Sequence, residues 1–120
     1  MKRDMDLIRK ILLRIEAHPE PFSWNVSLDI PDYPENEVYY HVKLLEKAGL
    51  IEAHIKVALN GSVGYCKVNS LTWEGHEFLE ASRDDSRWEK VKRLVLEKTG
   101  SLSFEVLKAC LVQAMLHSLK

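Results

Sequence analysis

The stretch GHEFLE at residues 75–80 begins like a zinc-protease motif. That motif needs two histidines four positions apart on one helical face, with a glutamate after the first, so that both imidazoles reach one zinc ion. His76 and Glu77 supply the first half, but the position of the second histidine holds Glu80. The motif is therefore incomplete and predicts no zinc centre.

The other histidines and the two cysteines also lack the spacing of a catalytic or metal-binding set. His41 falls on the inward stripe of a predicted helix, where a packed or hydrogen-bonded imidazole is expected. Cys66 and Cys110 stand far apart in the chain and fit small buried hydrophobic side chains. The sequence contains no glycine-rich phosphate loop, serine nucleophile elbow or paired-carboxylate cleft. We therefore expect no catalytic residues, no metal, no cofactor and a protein that is not an enzyme.

A second group of side chains has the chemistry to contact double-stranded DNA. Asparagine can form two hydrogen bonds with adenine, while lysine and tyrosine can reach phosphates or base edges. The candidates lie on the outer face of a predicted helix and on a predicted hairpin: Asn36, Tyr39, Tyr40, Lys43, Lys47, Lys56, Asn60 and Lys67. The alternative is an ordinary solvated helix face beside a structural hairpin. Glu35 and Glu37 open the same helix and would oppose phosphates.

A third group of side chains indicates a homodimer through the last predicted helix. The apolar surface of that helix is wider than one core contact needs, and exposed apolar patches usually mark interfaces. A two-fold pair would make the same patch self-complementary. The candidate interface residues are Phe104, Val106, Leu107, Cys110, Leu111, Met115 and Leu119. The alternative is that these residues complete the core of the chain's own fold.

The first elements that must position these groups are a helix and a strand. Helical periodicity predicts a helix over residues 4–18, with Asp4 as its N-cap. Strict alternation of apolar and polar residues predicts a half-buried strand over residues 22–30. Trp24 points inward on this strand, so we expect it to be largely buried.

The second helix and the hairpin follow a turn that Pro31 and Pro34 bracket. Its predicted inward stripe is Val38, His41, Val42 and Leu45, and Gly49 ends it as a left-handed cap. Two strands then flank the glycine-rich tip NGSVG, and the inward positions of the first are Ile51, Ala53, Ile55 and Val57.

Three more helices complete the predicted order. Thr72 can cap the first, Ser86 and Glu89 have the spacing of a capping box for the second, and the last begins near Ser103. The order is helix, strand, helix, strand, strand, helix, helix, helix.

The bulk properties fit one soluble domain. The chain has 120 residues, of which 46% are hydrophobic and 29% are charged, and it lacks the apolar run of roughly 18 residues that a membrane span requires. The N-terminus does not resemble a secretory signal, so we expect a cytoplasmic protein that does not bind membranes. The net charge is −1, and residues 1–80 hold 9 Lys/Arg against 13 Asp/Glu. This excess of acidic residues argues against non-specific binding of DNA phosphates.

Two phrases of the sequence resemble a known class of regulators. Leu44 to Ile51 is similar to the LxxLxxAGLI phrase that ends the reading helix in arsenic-type and multiple-antibiotic-resistance-type winged-helix repressors. Leu71 to Leu79 is similar to the LTxxGxxxL phrase that closes their wing. In those repressors another helix precedes the reading helix, whereas here PDYP occupies that place.

A closer resemblance covers nearly the whole chain. The phrases KRDMDLIRKILL, YHVKLLEKAGLIEA, LTWEGHEFL and GSLSFEVLK together resemble a bacterial and phage family of unknown function that is described as winged-helix-like. This resemblance implies a fold and no activity.

We accordingly predict an α+β fold, winged helix-turn-helix-like, with a three-stranded antiparallel sheet, a reduced first helix of the helix-turn-helix and extra C-terminal helices. Residues 1–83 would form the winged-helix-like part, and residues 84–120 a helical extension that packs on it or forms the dimer interface, in a single domain overall. The expected function is that of a small DNA-associated, transcription-regulator-like protein of bacterial or phage origin. The alternative is a winged-helix protein-interaction module that does not bind DNA.

Overall fold

The computed structural model describes residues 1–19 and 28–119. In this part of the chain the fold is α+β, and its elements follow in the order α1 (Met5–Glu16), α2 (Glu35–Lys47), β1 (Ile51–Val57), β2 (Val63–Leu71), α3 (Trp73–Ser82), α4 (Asp85–Thr99) and α5 (Phe104–His117). The chain divides into two compact units, Met1–His76 and Glu77–Lys120, whereas the sequence placed the division at residues 83/84. Within the described residues, no helix is long and apolar enough to cross a bilayer.

The predicted three-stranded sheet is wrong. The described residues form a sheet of two antiparallel strands, β1 and β2. Residues 28–30, the end of the predicted first strand, are not part of a strand, although Ile30 is buried and Asp29 is exposed as the alternation required. The rest of that strand, including Trp24, lies outside the described residues. A turn at residues 31–33 leads directly into α2.

Helix α1 begins where the sequence predicts. The Asp4 carboxylate accepts hydrogen bonds from the backbone N–H groups of Asp6 at 2.9 Å and Leu7 at 3.1 Å, which satisfies two donors that an uncapped helix leaves open. The buried residues of α1 are Met5, Leu7, Ile8, Ile11, Leu12 and Ile15. This broad apolar face belongs to the core of the first unit.

Helix α2 buries the four residues that its period predicts: Val38, His41, Val42 and Leu45. It ends at a left-handed glycine, since Gly49 has φ of 77°. The Gly49 N–H donates to the Glu46 carbonyl at 3.1 Å, and the Leu50 N–H donates to the Leu45 carbonyl at 3.0 Å. This pair of bonds is a Schellman motif, and it turns the chain from α2 into β1.

The β1–β2 hairpin has one buried and one exposed face. Ile51 pairs with Leu71 and Ala53 with Val68 on the buried face. Val57 was predicted to point inward, but it is 54% exposed. The register shifts between Lys56 and Val57, and this irregularity breaks the alternation before the tip.

Hydrogen bonds and a close backbone contact connect the segment that follows α2 to the start of α3. The Thr72 hydroxyl donates to the Gly49 carbonyl at 2.6 Å and accepts from the Gly75 N–H at 3.1 Å, so it caps α3 as predicted. Gly75 packs directly on the carbonyl oxygen of Leu50, where a Cβ atom would overlap that oxygen. The two phrases that carried the resemblance to repressors therefore contact each other in the structure.

The second unit contains the rest of α3 and the hairpin of α4 and α5. Its buried aromatic residues include Phe78 and Trp88, whose rings make an edge contact at 6.4 Å. The predicted capping box at Ser86 is wrong, because Asp84 is the N-cap of α4 and its carboxylate accepts from the Arg87 N–H at 2.7 Å. Helix α5 begins after Ser103, as predicted, although the Ser103 side chain makes no capping bond.

Candidate nucleic-acid interface

One stripe of α2 presents four of the predicted DNA-contacting residues to solvent. With 3.6 residues per turn, these four lie within about 60° of one another on the helix, and all are exposed: Asn36, Tyr40, Lys43 and Lys47. The stripe lies opposite the buried face of α2. Packing of that buried face in the core fixes the position of the helix. We call these four residues the α2 stripe.

The carboxylates of α2 lie to either side of the α2 stripe. By helical spacing, Glu35 and Glu46 fall on one flank, while Glu37 falls on the other and is half-buried. Both lysines of the stripe are in the second half of the helix, whereas Glu35 and Glu37 are in its first turn, where carboxylates suit the positive end of the helix dipole. The lysines that a nucleic acid bound on the α2 stripe would contact therefore lie toward the C-terminal end of α2.

Tyr39 does not belong to the α2 stripe. Its hydroxyl forms a hydrogen bond with the Glu35 carboxylate, and burial together with this bond raises the pKa of the Tyr39 phenol. Both residues line a cavity of about 340 Å³ that Cys66 and Tyr33 also border. Tyr39 is half-buried and borders this cavity of the first unit.

The hairpin lysines lie on its exposed face, next to two residues that the sequence reasoning did not include. Lys56 is paired with Tyr65 across the two strands, and Lys67 is paired with His54. The Lys67 ammonium lies over the Tyr65 ring at 5.3 Å. The alternation of β2 could have identified Tyr65, because it lies two residues before Lys67 and therefore on the same face.

Asn60 has a local structural role at the tip of the hairpin. Its side-chain oxygen accepts from the Ser62 N–H at 3.0 Å and from the Ser62 hydroxyl at 2.6 Å. Such bonds stabilise a tight turn. The structure thus accounts for this asparagine without a nucleic acid.

The candidate dimer residues on α5 do not form one surface patch. Leu107 and Leu111 are fully buried in the chain's own core, so neither side chain is available to a second copy in this fold. Phe104 packs on Phe78 at 4.9 Å between ring centroids. Cys110 and Met115 are half-buried. Exposure is greatest at Val106, at 39%, and Leu119, at 80%.

The histidines and cysteines occupy separate places. His41 is fully buried and bonded on both ring nitrogens, as the sequence predicts. Cys66 and Cys110 are both free thiols, and burial raises the pKa of the Cys66 thiol. Across residues 1–19 and 28–119, no three histidine, cysteine, aspartate or glutamate side chains are arranged to hold a metal ion.

Comparison with known proteins gives a family and no activity. Residues 2–101 match the family described as "Hypothetical protein (DUF2513)". The chain is also 38% identical over 108 residues to an "Uncharacterized protein" of Haemophilus influenzae, and the match covers 90% of each chain. No solved structure matches the chain. Because the family match extends over most of the sequence, the chain belongs to the DUF2513 family.

Proposed function

We propose that this protein associates with double-stranded DNA through the α2 stripe, as a small regulator-like protein. The observation that carries the proposal is the placement of Asn36, Tyr40, Lys43 and Lys47 on one exposed face of a helix whose opposite face is locked in the core. An α-helix fits the major groove, where asparagine can read adenine and lysine can contact guanine or phosphate. The exposed lysines of the hairpin, Lys56 and Lys67, supply additional phosphate contacts.

The charge of this surface sets the expected strength of binding. Four lysines can neutralise at most about four phosphates, so the logarithm of the binding constant should fall with the logarithm of the salt concentration at a slope of about −2 to −4. Acidic side chains flank the stripe, which weakens any contact that depends on charge alone. Binding should therefore be weak for random DNA and sensitive to salt.

The experiment is a fluorescence-anisotropy titration of labelled duplex DNA at several salt concentrations. Replacing Lys43 and Lys47 together by glutamine should abolish retention at moderate salt, or reduce the salt slope by about two where binding remains measurable. The matched control replaces two exposed cations of α4, Arg93 and Lys98, by glutamine and removes the same charge. If the control pair reduces binding and the α2 pair does not, α4 makes the contact and the proposal is wrong.

A second candidate function is a protein-interaction module that does not bind DNA. The observation that favours it is the pair of carboxylates, Glu35 and Glu37, in the first turn of α2. These groups would lie close to phosphates if the N-terminal end of the helix entered a groove, and like charges repel. Full-length protein that shows no retention on DNA, even at low salt, would favour this second function.

A further inference from the structure

An open groove lies between α4 and α5 in the second unit. Its volume is about 920 Å³, and its walls come from the first half of α4 and the second half of α5. The two helices form an antiparallel hairpin, so these halves face each other. Each wall covers about ten residues, which corresponds to about 15 Å of helix. The groove is therefore long enough for about three turns of another helix.

The floor and one edge of the groove are apolar. Val91 is buried at its base, and Cys110 is half-buried beside it. Leu94 and Leu116 line the groove but remain 46% and 49% exposed, respectively. Exposed leucines grouped in a concave surface are typical of binding sites for an apolar partner.

Among the charged side chains of the groove, cations outnumber carboxylates. Arg87, Lys90 and His117 line it. Asp84 is the acidic residue among the lining side chains, and its carboxylate is bonded to the Arg87 N–H as the cap of α4. A partner with carboxylates beside an apolar stripe would match both the charge and the apolar surface of this groove.

A second copy of the chain matches this surface poorly. A two-fold contact of groove on groove would set two surfaces against each other on which Arg87 and Lys90 outnumber the carboxylate of Asp84. Like charges opposed across an interface disfavour the contact. The charge of the groove therefore argues for a partner of different sequence.

We propose that the groove between α4 and α5 binds an amphipathic helix of a partner protein, with acidic residues flanking its apolar stripe. Leucine or aromatic side chains of the partner would cover Leu94 and Leu116, and its carboxylates would pair with Lys90 and Arg87. Docking of one helix face into a groove is a common mode of peptide recognition. This site does not depend on DNA association, since it uses none of the α2 stripe.

The test is a selection with the full chain against a displayed library of helical peptides. In this library the apolar stripe is fixed and the flanking polar positions are random. The enriched peptides should carry a clear excess of Glu and Asp at the flanking positions. Enrichment of neutral or basic peptides, or no enrichment above the level that a Leu94→Ser variant gives, would overturn the proposal.

Two pairs of matched variants locate the binding of the best acidic peptide, measured by anisotropy. Leu94→Ser should weaken binding at least tenfold, while Leu96→Ser should change it less than twofold, because Leu96 is similarly exposed, at 44%, but does not line the groove. Lys90→Glu should weaken binding at least tenfold, and Arg93→Glu, outside the groove on the same helix, less than threefold. Circular dichroism checks that each variant is folded.

If the two variants of either pair weaken peptide binding equally, the peptide binds elsewhere and the proposed site is refuted. Sedimentation of the wild type provides an independent check. A stable dimer that Leu94→Ser dissociates would mean that a second copy fills the groove, which also contradicts the proposal.

Discussion

The imidazole of His41 on α2 accepts a hydrogen bond at Nε2 from the backbone N–H of Asp4, at 2.8 Å. Its other nitrogen, Nδ1, lies 2.8 Å from the carbonyl oxygen of Glu37. Because a backbone N–H can only donate and a carbonyl can only accept, the ring must carry its hydrogen on Nδ1. One fully buried side chain thus connects the N-cap of α1 to the first turn of α2, which positions the α2 stripe.

The His41→Ala variant should lose about 2–4 kcal/mol of stability, because it leaves the partly buried Asp4 N–H without its imidazole partner and creates a cavity. Urea unfolding followed by circular dichroism measures this loss. The exposed His76 provides the control, since His76→Ala should change stability by less than about 0.5 kcal/mol. Nitrogen NMR shifts of the His41 ring should report the Nδ1–H tautomer, and the opposite tautomer would contradict the bonding described.

Gly75→Ala should destabilise the protein by about 1–3 kcal/mol, because the new methyl group would overlap the carbonyl oxygen of Leu50. An exposed site in a helix would show the opposite sign, since alanine is the better helix former. Gly64→Ala is the matched control, because its Cβ would meet neighbouring atoms no closer than 3.6 Å. Equal stability of Gly75→Ala and wild type would show that the junction of α2 and α3 is looser than described.

Cys66 should react slowly with an alkylating reagent. Burial raises the pKa of its thiol, so less of the reactive thiolate is present near neutral pH than in the unfolded chain. In a chain whose second thiol is removed by Cys110→Ser, alkylation at pH 8 should be at least tenfold slower in the folded than in the denatured state. Equal rates in both states would mean that Cys66 is freely accessible.

The same burial predicts how stability responds to alkaline pH. The pKa of Cys66 is raised above its ordinary value of 9.0 in the folded chain, so the unfolded chain loses its proton first. This contribution to stability is present below pH 9.0 and is lost as pH rises through the folded-state pKa. The pKa values of Tyr33 and Tyr39 are also raised, and they lower the stability in the same way as pH rises above 10.0. The free energy of unfolding should therefore fall less steeply above pH 9.0 in Cys66→Ser than in the wild type.

Leu111→Glu should unfold the second unit instead of producing a folded monomer from a dimer. Leu111 is fully buried, so the carboxylate would be placed in the core without a partner. Leu96→Glu, at an exposed position on α4, should remain folded. Heteronuclear NMR spectra of the two variants distinguish these outcomes. A folded Leu111→Glu chain would show that α5 does not pack as described.

The sequence predicts the helices well because their apolar period is continuous. All four inward residues of α2 and the glycine that ends it are where the period places them. The prediction of a three-stranded sheet is wrong for a specific reason. Alternation at residues 28–30 correctly predicts that Ile30 is buried and Asp29 exposed. Alternation describes where side chains point, however, and it cannot show whether a neighbouring strand is present to form hydrogen bonds.

Whether a candidate residue is exposed depends on the direction in which its helix faces its own core, and spacing alone predicts that direction only in part. Spacing alone places Tyr39 next to the α2 stripe, but in the structure it is half-buried and lines a cavity together with Glu35. On α5, apolar residues occur on several sides of the helix, and the sequence does not reveal which side α4 covers. That packing buries Leu107 and Leu111 and leaves Val106 and Leu116 exposed. The groove between the helices follows from the packing and could not be seen beforehand.

The most direct test of the proposed DNA contact is an NMR titration of the ¹⁵N-labelled full chain with random-sequence duplex DNA at low salt. We expect the largest shift changes at the amides of Asn36, Tyr40, Lys43 and Lys47, with smaller changes at Lys56 and Lys67 on the exposed face of the hairpin. Added salt should reverse these changes. Shift changes confined to α4, or no changes at any DNA concentration, would contradict DNA association through α2.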